Sequence, residues 1–83
     1  MLISIGFRRG DWNVEFSRHA IKRAIERKIH WDLIRSTVFH GQIEGKKGEF
    51  IWFKKRFWKG TVVCKARIVS PGEARVVTIE WRR

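Results

Sequence analysis

Hydrophobic and polar positions keep two different rhythms along this 83-residue chain. Ile3, Ile5 and Phe7 alternate with Ser4 and Gly6, and Trp12, Val14 and Phe16 alternate with Asn13 and Glu15, the period of two that half-buried strands show. Arg8-Arg9-Gly10-Asp11 lies between these runs and has the composition of a hairpin turn. The rhythm then lengthens to that of a helix. Ser17 is a good N-cap, and from Arg18 to Lys28 the residues Ala20, Ile21, Ala24 and Ile25 recur at helical spacing, leaving His19, Lys22, Arg23, Glu26 and Arg27 on the opposite face. A second helix is predicted from Trp31 to Phe39, with Ile34 and Val38 one turn apart and Gly41 where helices often end. Only Lys28, Ile29 and His30 join the two, which calls for an antiparallel or steeply crossed pair.

Gly41 to Glu49 has the glycines and mixed charges of an irregular loop, with a short strand at Gln42 to Glu44. Phe50 to Lys55, Thr61 to Val69 and Arg75 to Trp81 are rich in β-branched and aromatic residues and predict three further strands. Ser70-Pro71-Gly72-Glu73 between the last two fits a type II turn. The expected architecture is α+β in two layers: strand, helix, helix, then a three-stranded antiparallel meander, with room for an extra N-terminal strand. Alternation sorts the sheet into faces. Ile51, Phe53, Val62, Cys64, Ala66, Ile68, Val77, Ile79 and Trp81 are assigned to the helix side. Phe50, Trp52, Lys54, Val63, Lys65, Arg67, Val69, Val76, Thr78 and Glu80 are assigned to the outer face.

A chain this short holds one domain with one core, and five Trp and six Phe supply the apolar surface to close it. Cys64 is the sole cysteine, so no internal disulfide forms, and its place in an apolar run marks a small buried hydrophobe in a reducing compartment. The three histidines lack the spacing of a metal site, and no cofactor motif is present. No apolar run reaches the roughly 18 residues of a membrane span, and the first seven residues lack the features of a secretory signal, so the expected location is cytoplasmic. With one Asn, one Gln and one Met, the chain is poor in labile residues, which points towards a hot source.

Charge changes the picture most. Nineteen Lys and Arg stand against eight acids, and the resulting net charge of +11 attracts polyanions. On the outer sheet face Trp52, Lys54, Lys65 and Arg67 combine a ring on which a base could stack with cations for phosphates, a surface suited to single-stranded RNA. Lys54-Lys55-Arg56-Phe57-Trp58-Lys59 interleaves four cations with two aromatics, and Arg82 extends the positive surface at the C-terminal strand. The plainer account of that stretch is a solvated turn with Phe57 or Trp58 folded back on the core. The expected nucleic-acid contacts are therefore Arg27, Trp52, Lys54, Lys55, Arg56, Lys65 and Arg82. Metal-free RNA cleavage needs a base to activate the 2′-hydroxyl and cations around the phosphorane, and His19 with Arg23 and Arg67 supply those residue types.

The run Phe16-Ser17-Arg18-His19-Ala20, followed by Arg23, Arg27 and Ile29 and closed by Val76-Val77-Thr78-Ile79-Glu80-Trp81, resembles a family of small prokaryotic domains. That family carries F-[ST]-x-H-A, then R-x-x-x-R-x-I, then a V-V-T-[VI]-x-W-like strand, and the likeness covers about residues 12 to 82. The family looks like a branch of the toxin superfamily of RelE, ParE and BrnT type. The resemblance implies an mRNA endonuclease toxin neutralised by an antitoxin protein, with His19, Arg23 and Arg27 at the motif positions. It also leaves gyrase as a target, since ParE-like members act there, and this chain has no Tyr, which many of the nucleases use. A noncatalytic module that binds nucleic acid or protein is the other reading of the same residues.

Overall fold

The computed structural model describes residues 5–82. They form a mixed α+β domain in which two helices pack on a curled six-stranded sheet. In chain order the elements are β1 (Ile5–Arg9), β2 (Trp12–Phe16), α1 (Arg18–Glu26), α2 (Trp31–His40), β3 (Gln42–Lys47), β4 (Phe50–Phe57), β5 (Gly60–Ser70) and β6 (Glu73–Arg82). In space the strands run β1-β2-β6-β5-β4-β3. The meander β4-β5-β6 is antiparallel as its turns predict, and Pro71-Gly72 makes the turn into β6 with Gly72 at φ 78°. The N-terminal hairpin is added to it by an unpredicted parallel pairing of β2 with β6, from Asn13 opposite Glu73 to Phe16 opposite Val76.

The hairpin turn is tighter than the sequence indicates. Arg8 and Arg9 continue β1, with Arg9 opposite Trp12, so Gly10 and Asp11 alone reverse the chain, Gly10 at φ 57°. Of the N-terminal strand expected from Ile3, residues 3 and 4 lie outside the described residues. The Gln42 to Glu44 strand extends as far as Lys47 across an irregularity in its pairing with β4.

Ser17 starts α1 as predicted: its hydroxyl accepts a hydrogen bond from the amide of Ala20 at 3.0 Å, filling one of the vacant donors of the first turn. The helix stops two residues earlier than the periodicity indicates. Lys28 takes a left-handed conformation, φ 55°, and the amides of Lys28 and Ile29 turn back to the carbonyls of Ile25 and Ala24. This is a Schellman closure with lysine where glycine is the usual occupant. His30 caps α2, its Nδ1 accepting from the amide of Asp32 at 3.2 Å. At the far end Gly41 lies where a Cβ would stand 2.3 Å from the carbonyl oxygen of Thr37 and 2.7 Å from that of Lys54. Only the missing side chain lets the end of α2 seat on β4.

The core lies between helices and sheet. Ala20 and Ala24 of α1, Ile34 and Val38 of α2, and Ile51, Phe53, Val62, Cys64, Ala66, Val76 and Ile79 of the sheet are all buried in one cluster. The Phe16 ring meets Trp31 edge-on, 5.3 Å between centroids, tying β2 to the start of α2. Two face assignments need correction, those of Val76 and Val77. Val76 is buried in the core and belongs to the helix side, because the β5–β6 register slips between Lys65–Thr78 and Ala66–Val76 and leaves Val77 as the extra residue of a bulge. The inserted residue restores Ile79 and Trp81 to the inward phase.

Candidate nucleic-acid interface

Three groups of cations come out of this fold, each placed by a different local rule. The first is the outer face of the sheet. Burial of Cys64 and Ala66 turns Lys65 and Arg67 away from the helices, and the register sets Trp52, Lys65 and Thr78 in one row across β4, β5 and β6. Lys54 belongs to the next row, beside Val63 and Glu80. This face is internally occupied. Lys54 pairs with Glu44 at 2.7 Å, Arg67 with Glu49 at 2.9 Å, Arg75 with Glu15 at 3.4 Å and Arg82 with Glu80 at 3.1 Å. The ammonium of Lys65 sits 4.3 Å above the Phe50 ring, and that ring leans on half-buried Trp52 at 6.4 Å and 45°. Surface pairs of this kind contribute only about 0–1 kcal/mol each to stability. Their stronger effect is on the field, since each carboxylate cancels a cation locally.

The second group lies on α1. Its buried residues are two small ones, Ala20 and Ala24, with half-buried Ile21 packed beside them, so the helix sits close to β6 and turns a broad arc outward. On that arc Arg18, Lys22 and Ile25 fall in one stripe, with Ile25 72% exposed, and Lys28 follows at the helix end. Among the described residues Arg18, Lys22 and Lys28 have no acidic partner, whereas Arg23 pairs with Glu26 at 3.6 Å. Arg27 is anchored: its Nη1 donates to the carbonyl of Ile79 at 2.6 Å. Together with the bond from the Ser17 amide to the Val76 carbonyl, this aligns α1 along β6.

The third group is the β4–β5 hairpin tip. Phe57 continues the inward set of Ile51 and Phe53 and packs against the core, so its neighbour Trp58 is thrown out and is 90% exposed. Gly60 holds the turn at φ 149°, where an added Cβ would meet the Arg82 carbonyl at 2.9 Å. That approach keeps the end of β6 beside the turn. An open concavity of about 360 Å³ results, lined by Arg56, Phe57, Trp58, Lys59, Thr61 and Arg82. Arg56 has no acidic partner among the described residues, and the Lys59 ammonium lies 4.9 Å from the Trp58 ring centroid. Lys55, expected among the contacts, points to the helix side and is held by Ser36 at 2.5 Å and by the Phe57 ring at 5.4 Å.

The residues expected to cleave RNA divide between two places. His19 and Arg23 are together on exposed α1, with Arg23 Nε donating to His19 Nε2 at 3.4 Å. Arg67 stands on the outer sheet face with Glu49, and no contact links it to His19 or Arg23. Cys64 offers no alternative nucleophile, because burial pushes its thiol up to about 12 and keeps it protonated near neutral pH. Among the described residues no three His, Cys, Asp or Glu side chains gather to hold a metal ion, and no helix is long and apolar enough to cross a membrane.

Sequence named Arg56 and Arg82 among the contacts but left open which of Phe57 and Trp58 faces solvent, and it placed Ile25, here exposed, on the apolar face of α1. The signal for Trp58 and Lys55 was present in strand parity, which places residues 51, 53, 55 and 57 on one face. No protein-family model, curated protein or solved structure matches the chain.

Proposed function

We propose that this domain binds nucleic acid, RNA before DNA, through α1 and the β4–β5 hairpin. The observation that carries this reading is the gathering of cations with no acidic partner among the described residues, Arg18, Lys22 and Lys28 at the helix and Arg56 at the tip, while the acids of the sheet neutralise cations of the outer face. Such clusters neutralise phosphates and release counterions, so the binding is electrostatic and salt-sensitive. Kinship with RelE, ParE and BrnT toxins, in a two-layer arrangement with a partner antitoxin, is supported by Phe16-Ser17-Arg18-His19-Ala20 at the first strand-to-helix junction and by the meander that follows the helices. RNA is placed before DNA on the strength of that kinship.

The test is a binding titration with labelled RNA at rising salt. Affinity should fall by at least about tenfold between roughly 50 and 200 mM salt. Salt-independent binding, or none, would overturn the reading. A second reading, metal-independent RNA cleavage, has the exposed His19–Arg23 pair in its favour. RNA degraded in the presence of a chelator by the wild type, but left intact by His19→Ala that still binds it, supports that role. Undiminished cleavage removes His19 from it, and binding without any cleavage leaves a noncatalytic module.

A further inference from the structure

We propose that the β4–β5 hairpin tip is a subsite for one unpaired nucleotide, with the base stacked on Trp58 and its phosphate held between Arg56 and Arg82. The inference rests on the nucleic-acid reading above and adds to it a preference for single strands.

Trp58 is the largest exposed ring among the described residues, and Arg56, Lys59 and Arg82 line the concavity beside it. A Trp left 90% in water gives up the stabilisation that burial of its large apolar surface would bring. Its position is well defined, since Phe57 is anchored in the core on one side and Gly60 locks the turn on the other. Lys59 lies over the indole at 4.9 Å, and at 90% exposure the ring keeps a face open to a flat partner. Arg56 and Arg82 line the same concavity as the ring. Arg82 is held by Glu80 at 3.1 Å in an exposed pair that a phosphate can replace at little cost. A concavity of about 360 Å³ admits one small ligand and is open enough for a strand to continue past it. Bases in a duplex are already stacked on each other and present only their edges, so this ring selects a base that has left the stack.

The probes are an oligouridine and an oligothymidine of about 12 nucleotides, within the site sizes of single-strand binders, and an RNA duplex of the same length. Fluorescence anisotropy should show tighter binding of both single strands than of the duplex. Trp58→Ala should lower single-strand affinity about tenfold, the usual scale for one stacked base, with duplex affinity and melting temperature unchanged. Trp58→Phe should retain most of the affinity. Equal loss on single strand and duplex, or no loss on either, overturns the subsite while leaving nucleic-acid binding intact. Absence of binding to all three probes overturns both. Trp58-dependent capture on phosphatidylserine vesicles, without single-strand preference, also overturns it and assigns the tip to an anionic membrane surface.

Discussion

The outer sheet face and the surface formed by α1 with the hairpin tip hold similar cations in different company. On the sheet, acids stand against the cations: Glu44 on β3 meets Lys54, Glu15 on β2 meets Arg75, Glu49 from the β3–β4 turn meets Arg67, and Glu80 meets Arg82 two residues along the same strand. On α1 the only acid is Glu26, which meets Arg23, and among the described residues Arg18 and Lys22 have no acidic partner. A formal charge of +11 says that a polyanion will be attracted, and the location of the carboxylates says where it will dwell. In this domain the aromatic component follows the same division. Phe50 and Trp52 lean on each other under Lys65, whereas Trp58 stands in solvent.

The contrast requires that the helices be seated firmly on the sheet, and Gly41→Ala breaks that seating. Its Cβ would fall on two backbone carbonyls, so a loss of about 3 kcal/mol is expected, read as a lower urea midpoint. Charge reversal on the stripe, Arg18→Glu with Lys22→Glu, should leave the fold intact and lower RNA affinity about a hundredfold at low salt, with a shallower salt slope. Equal loss from reversing Lys54 and Lys65 instead would erase the distinction between the two surfaces. Lys28→Gly separates stability from binding. It should raise stability by about 1 kcal/mol by relieving the left-handed lysine, and lower affinity a few-fold by removing a cation. The smallest effect is expected from Glu44→Gln with Glu49→Gln. These replacements unmask Lys54 and Arg67, and a rise in affinity of about twofold or less places the outer face at the margin of the contact.

Much of the fold was legible because it depends on local rhythm. Ser17 as a cap, the Ala20–Ala24 stripe and the alternation around Cys64 each identify an element without knowledge of the rest. The parallel β2–β6 pair has no such local mark, since it joins residues some 60 positions apart. The phase of β6 was hidden for a related reason. Val76 and Val77 are equally apolar, so either can face inward, and the bulge that chooses between them is set by pairing with β5. The site suffered the same limit. Cations are visible in a sequence, yet the Glu15–Arg75 pair that cancels one of them exists only after β2 and β6 meet. Trp58 and Phe57 are adjacent aromatics, and which one faces solvent follows from β4 reaching Phe57 rather than stopping at Lys55.

The parallel junction of β2 with β6 also governs how the molecule comes into being. β6 is the sixth strand to be synthesised and occupies an inner position of the sheet, between β2 and β5. Until it emerges, β2 lacks its neighbour in the sheet and α1 lacks the strand with which it makes its main contact, although the hairpin can already meet α2 through Phe16–Trp31 and Arg9–Val38. The β2–β6 pair and the seat of α1 therefore close only once β6 is present, and both join parts of the chain far apart in sequence, contacts of the kind that slow folding.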